Sequence, residues 1–206
     1  MMMSIPFVFF SKRIRCFRII KQGDYLFMKH ITRKKITFLI ADIIAFIVLV
    51  ALDQFTKFLA VANLKDKASF PIIRNVLELQ YLENKGAAFG MLQNQKAFFI
   101  LIAILILIII IYVLALVPDD MKYNALHILL VMIGSGACGN MIDRFRTNYV
   151  VDFIYFKLIN FPIFNVADIY VTVSTFILLF LFLFYYKEND FAFLSFKQQK
   201  KFREFK

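Results

Sequence analysis

The sequence predicts an all-α membrane protein with four transmembrane helices and a small extracytoplasmic β-rich segment on the membrane surface. Three observations predict it. Of 206 residues, 61% are hydrophobic and only 19% are charged, against roughly 45–50% and 25% in soluble domains. The chain holds 27 Phe, more apolar surface than a soluble fold of this size can hide and the opposite of a disordered composition. The apolar residues are also gathered into four runs, each close to the ~20 residues that cross a hydrocarbon core.

In chain order, the first ten residues are a short apolar run ahead of their basic residues, the reverse of a signal peptide. Met28 lies just before a basic cluster and is a second candidate start beside Met1; with either start, 1–27 is expected to be dispensable. A basic cytoplasmic tail is expected over 1–35, a four-span domain over 36–186 and a second basic tail over 187–206. The first span, 36–52, is interrupted by Asp42 and closed by Asp53. A polar segment over 61–96 follows, in which Val76-Leu77-Glu78-Leu79-Gln80-Tyr81 alternates like a half-buried strand and Glu83-Asn84-Lys85-Gly86 reads as a turn before Ala87-Ala88-Phe89-Gly90. The second span, 97–117, contains no charge; the third, 125–142, contains Gly134, Gly136 and Gly139. A second outer segment, 143–164, carries the β-prone Tyr149-Val150-Val151-Asp152-Phe153-Ile154-Tyr155-Phe156, and the fourth span covers 166–186.

The net charge of +11 resides mainly outside the spans. Arg33, Lys34 and Lys35 precede the first span, Lys122 lies between the second and third, and Lys187, Lys197, Lys200, Lys201, Arg203 and Lys206 follow the last. Cation-rich flanks mark the cytoplasmic side, so both termini are expected there. The charge thus accounts for topology and calls for membrane lipid rather than nucleic acid as a partner. Cys16 and Cys138 form no disulfide framework, and His30 and His127 lack metal-ligand spacing.

Acids and amides collect at the outer ends of the spans: Asp53, then Asn140 and Asp143, then Asn165 and Asp168. Ionisable groups at membrane depth are costly and tend to be functional, although Asn165 and Asp168 also have the spacing of a helix capping box. Asp152, flanked by Val150, Val151, Phe153 and Ile154, has no adjacent cation; burial would keep it protonated, whereas a helix N-terminus would keep Asp168 ionised. Acids driven apart in this way resemble an aspartic protease dyad. Asp143, next to Arg144, is expected to be a paired, supporting acid that orients the arginine. Ser135 with His127 would make a serine site, but eight residues on one helix separate them by about 12 Å. A small transporter or assembly factor using the acids as an ion site is the alternative class.

The residues then match a known family. The chain resembles the lipoprotein signal peptidases (signal peptidase II) in four blocks: Asp53-Gln54-Phe55-Thr56-Lys57; Asn84-Lys85-Gly86-Ala87-Ala88-Phe89-Gly90; Gly139-Asn140-Met141-Ile142-Asp143-Arg144 with Val150-Val151-Asp152-Phe153; and Phe164-Asn165-Val166-Ala167-Asp168. Ser135 and Asn148 stand where the family commonly has Gly. The resemblance implies an aspartic endopeptidase of the bacterial inner membrane that needs no metal or organic cofactor. It implies a diacylglyceryl-modified prolipoprotein as substrate, cut just before its lipidated Cys. The catalytic acids it implies are Asp152 and Asp168, with Asn84, Asn140, Arg144 and Asn165 lining the substrate site and Asp53 and Lys57 supporting it. A monomer is expected.

Overall fold

A computed structural model describes residues 32–86 and 92–194. The candidate start at Met28, most of the basic residues of both tails and the apolar stretch 87–90 lie outside the described residues. Contacts divide the chain after Phe38. In the first part, Thr32 Oγ1 accepts a 3.0 Å bond from the Lys35 N–H, capping the start of a helix.

Four helices are long and apolar enough to cross a membrane. Helix α1 spans Arg33–Leu64, α2 Lys96–Leu116, α3 Asn124–Thr147 and α4 Val166–Phe184. Two of them run beyond their apolar cores. The 32 residues of α1 measure about 48 Å, against a hydrocarbon core of ~30 Å, so its last turns emerge and carry Asp53 and Lys57. Helix α3 continues past residue 142, so Asp143 and Arg144 are helical rather than part of an outer segment. It ends where Asn148 adopts the left-handed conformation (φ 66°) and its N–H bonds the Arg144 carbonyl. Asn tolerates that conformation better than most residues.

The polar segments build a three-stranded antiparallel sheet in the order β1-β2-β3, with β1 at Phe70–Ile73, β2 at Leu77–Asn84 and β3 at Val150–Phe156. Strand β2 takes in the first half of the expected turn. Strand β1, Phe-Pro-Ile-Ile, is not foreshadowed by alternation, and its Pro71 suits an edge strand. Two pairs fix the site: Leu82 opposite Asp152, and Asn84 opposite Val150. The sheet packs Val151 and Phe153 on Ala60 and Leu64 at the end of α1.

Helix α3 lies against both α2 and α4. Its Leu126, Leu130 and Val131 join Ile110, Leu114, Val117, Tyr123 and Tyr186 in a core that Phe46 and Leu49 of α1 complete. A 3-10 helix, Glu188–Leu194, folds back onto that core. Lys122 pairs with Asp190 at 2.6 Å, and the Tyr123 hydroxyl donates to the Asp190 carbonyl. The outer faces of α1, α2 and α4 expose Ile43, Ile47, Leu101, Ile108, Phe176 and Phe180, among others, the surface a helix presents to lipid.

Candidate active site

Each acid of the sequence pattern is placed by an element with a local reason for its shape. Asp168 occupies the first turn of α4. Asn165 Oδ1 accepts from the Asp168 N–H at 3.0 Å, and Asp168 Oδ2 accepts from the Asn165 N–H at 3.1 Å. The capping box is therefore formed, and the positive end of the helix faces the carboxylate. Asp152 sits on β3, diagonal to Asn84 on β2, a separation that side chains bridge; Asn84 Nδ2 donates to Asp152 Oδ2 at 2.8 Å. Strand β3 also bonds Phe164 through the Phe153 and Ile154 N–H groups and the Ile154 carbonyl. That second pairing brings Asn165, the next residue, to Asp152 Oδ1 at 2.6 Å.

Asn140 of α3 closes the ring. Its Nδ2 donates to Asp168 Oδ1 at 2.8 Å, while its Oδ1 accepts from Asn165 Nδ2 at 3.1 Å and from Lys57 Nζ at 2.8 Å. All four carboxylate oxygens of Asp152 and Asp168 thus receive an N–H donor. Asp152 is 1% exposed. Burial pushes its carboxyl up to about 7, and the Asp168 charge adds to the rise against the pull of the Asn84 and Asn165 bonds.

Behind the pair lies an ionic core. Lys57 Nζ meets Asp53 Oδ2 at 3.0 Å and Asp143 Oδ2 at 2.9 Å. Asp53, fully buried, accepts from the Ala167 N–H at 2.9 Å. Gln54 donates to Asp143 Oδ1 at 2.9 Å, and the Val151 N–H to Asp143 Oδ2 at 3.2 Å. Asp143 therefore pairs with Lys57, not with Arg144 as the sequence reading expected. Successive helix residues point about 100° apart and do not face each other. Arg144 instead stacks on Phe99 with its guanidinium carbon 4.5 Å from the ring centroid, and donates to the Gly86 carbonyl at 3.2 Å.

Asp152, Asp168, Asn84, Asn140 and Arg144 share a cleft of about 490 Å³ walled by Phe99, Phe164, Ile169 and Val173. Apolar walls with a few convergent polar groups are the usual form of a ligand site. The structure brings together every site residue expected from the sequence: Asn165 meets both acids, and Asp53, Lys57 and Asp143 lie behind them. The serine arrangement is absent. The Ser135 hydroxyl donates to the Val131 carbonyl at 2.8 Å, and His127 Nδ1 lies 2.6 Å from Asp42 Oδ2. Sequence reasoning missed the roles of Gln54 and Phe99 and the Asp42–His127 contact. For the last, the signal was present, because polar residues inside membrane helices tend to find one another.

The comparisons with known proteins agree with this geometry. The family model described as signal peptidase (SPase) II matches residues 43–184. The chain belongs to the signal peptidase II family. Among similar curated relatives, the lipoprotein signal peptidase of Caldanaerobacter subterraneus subsp. tengcongensis is 49% identical over 143 residues, covering 69% of this chain and 94% of that one. The lipoprotein signal peptidase of Streptococcus pyogenes serotype M1 is 42% identical over 150 residues, covering 73% and 95%. A solved bacterial membrane enzyme superposes with a TM-score of 0.62 at 33% identity over 69% of this chain and 87% of its own. The match to signal peptidase II begins within α1 and ends at the last residue of α4, so it takes in the acids, their amides and the ionic core. The ion-site alternative is not favoured.

Proposed function

We propose that this signal peptidase II chain is an aspartic endopeptidase that cleaves lipid-modified prolipoproteins with Asp152 and Asp168 as the reacting pair. The observation that carries the reading is the contrast between two acids in one cleft: Asp152, buried and pushed up to about 7, and Asp168, at the N-terminus of α4. Such a contrast separates acid from base. Ionised Asp168 removes a proton from a water held between the carboxyls, and the oxygen attacks the scissile carbonyl while protonated Asp152 donates to its oxygen. The tetrahedral intermediate collapses as the amide nitrogen leaves with the proton that Asp168 accepted, and a hydroxyl of the intermediate returns a proton to Asp152, which restores both acids. Arg144, with its fork of donors toward the cleft, suits a substrate carbonyl or ester oxygen, and the apolar walls suit a signal-peptide segment and lipid chains. Both termini are cytoplasmic in this reading, and the sheet and the cleft mouth lie at the outer face.

The test is turnover of a diacylglyceryl-modified precursor peptide by purified full-length variants. Asp152→Asn and Asp168→Asn keep the carboxyl's size but exchange no proton, and each is expected to lower kcat by roughly 10²–10⁴-fold in a protein that still folds. Asp143→Asn is expected to keep measurable turnover at saturating substrate. Its stability loss should stay below the ~3–5 kcal/mol of a fully broken buried pair, because Asp53 still faces Lys57. Full activity in well-folded Asp152→Asn, with none in well-folded Asp143→Asn, would move the acid from one to the other.

A further inference from the structure

Three side-chain amides hold the two acids, and each has to present nitrogen, not oxygen, to a carboxylate. The two ends of an amide have nearly the same shape, so its other contacts decide which way it points. Asn84 is fixed by the backbone: its Oδ1 accepts from the Gly86 N–H at 2.9 Å, leaving Nδ2 for Asp152. Asn165 is fixed the same way, with its Oδ1 on the Asp168 N–H at 3.0 Å and its Nδ2 on Asp152. Among the described residues no backbone N–H meets the oxygen of Asn140; it has Lys57 Nζ at 2.8 Å and a longer bond from Asn165 at 3.1 Å. An ammonium is donor only, so it can face the oxygen of Asn140 and never the nitrogen. Lys57 is itself held by Asp53 and Asp143, which use its other two protons.

We propose that Lys57 is a positioning residue of the reaction: held between Asp53 and Asp143, it locks the Asn140 amide with nitrogen toward Asp168 and so keeps that carboxylate oriented as the base. The proposal rests on the reading of Asp152 and Asp168 as the reacting pair. Without Lys57, the longer bond from Asn165 Nδ2 at 3.1 Å is the remaining restraint on the Asn140 oxygen, and an amide that inverts against it sets its oxygen against the carboxylate oxygen Asp168 Oδ1, two acceptors facing each other. The charged groups acting on the pair are Lys57 from α1 and Arg144 from α3, with Asp53 and Asp143 behind them on Lys57.

The experiment compares Asp143→Asn with Lys57→Met/Asp143→Asn, in which one cation and one anion are removed together and the net charge is kept. Kinetics are measured with the lipidated precursor peptide at matched folded-protein levels. Loss of Lys57 is expected to lower kcat by about 10²-fold, the effect of a small misplacement at the chemistry, with KM within about threefold. The acid limb of kcat/KM should also move up in pH, a readout that a merely structural role of Lys57 would leave in place. Asn140→Ala, which leaves the ionic core whole, should reproduce both changes, and adding Lys57→Met to it should cost little more kcat. A folded Lys57→Met/Asp143→Asn protein with unchanged kcat and acid limb overturns the proposal. If that protein does not fold, Asn140→Ala decides: a native kcat and pH profile there leaves Lys57 no route to the pair. Full activity in Asp152→Asn would be a failure of the reading of the pair instead, whatever the Lys57 variants do.

Discussion

Asp152 shows how one carboxyl sets conditions on both chemistry and stability. Its proton affinity is raised by burial first and by the charge of Asp168 second, from 3.8 to about 7. A raised value means that the folded state keeps a proton the unfolded chain releases. The stability linked to this group is complete below pH ~4 and is lost as the pH climbs through about 7. Asp152→Asn removes that loss. Its melting temperature is expected to exceed that of the native chain at about pH 8, with the gap narrowing toward about pH 5, a comparison that thermal unfolding in detergent checks. The activity of the native enzyme should fall over the same rise in pH, because the protonated acid is used up. The pairing proposed for Asp152 and Asp168 was suggested by the sequence, where Asp152 lies among Val and Phe and Asn165 and Asp168 carry capping spacing, but it was the family motifs that singled the two out. The partner of Asp143 was not legible there. Adjacency in sequence pointed to Arg144, whereas helix geometry turns the two apart and hands Asp143 to a lysine on another helix.

At the scale of elements, the glycines of α3 separate into two kinds. A Cβ at Gly139 would collide with Asp53 Oδ2, and one at Gly136 would press on the Ala167 carbonyl and Val171. A Cβ at Gly134 would meet Ile110 and Leu107 at ordinary contact distances of 3.5 and 3.6 Å. Gly139→Ala and Gly136→Ala are therefore expected to destabilise by about 1–3 kcal/mol through overpacking, while Gly134→Ala should be neutral or slightly stabilising, since Ala favours a helix by ~1 kcal/mol. Melting temperatures of the three variants check the division. The sequence placed all three in the third span and could not rank them, because the rank depends on what each meets: Asp53 of α1 at Gly139, Ala167 and Val171 of α4 at Gly136, and chiefly α2 at Gly134. The four helices were legible from apolar run length. Their true ends were not, because α1 and α3 continue as helices into polar sequence, where hydropathy falls silent but backbone bonding persists. Strand β2 declared itself by alternation, and β1 did not, having four apolar residues and a proline.

For the whole molecule, orientation decides whether the acids meet their substrate. The proposed orientation, with both termini in the cytoplasm, requires the turn after α1 to be outside and the α2–α3 turn inside. In a chain with Cys16 and Cys138 replaced by Ala, a membrane-impermeant thiol reagent added to intact cells should modify Asp66→Cys and leave Asp120→Cys untouched; the opposite pattern would put the cleft in the wrong compartment. The site itself draws Lys57 from α1, Asn84 from β2, Asn140 from α3, Asp152 from β3 and Asp168 from α4. That dispersal has a consequence for biosynthesis. A ribosome-bound chain holds only one of the two acids until residue 168 has been added, and α4 must leave the insertion machinery before the base can face the acid. With Asp152 and Asp168 as the proposed pair, cleavage is therefore expected only after the last helix has docked. Cutting the chain in the turn between α2 and α3 would give two membrane-inserted helix pairs. One would carry Lys57 and Asn84 and the other would carry both acids, so lipoprotein processing would report directly on whether the two halves have found each other in the bilayer.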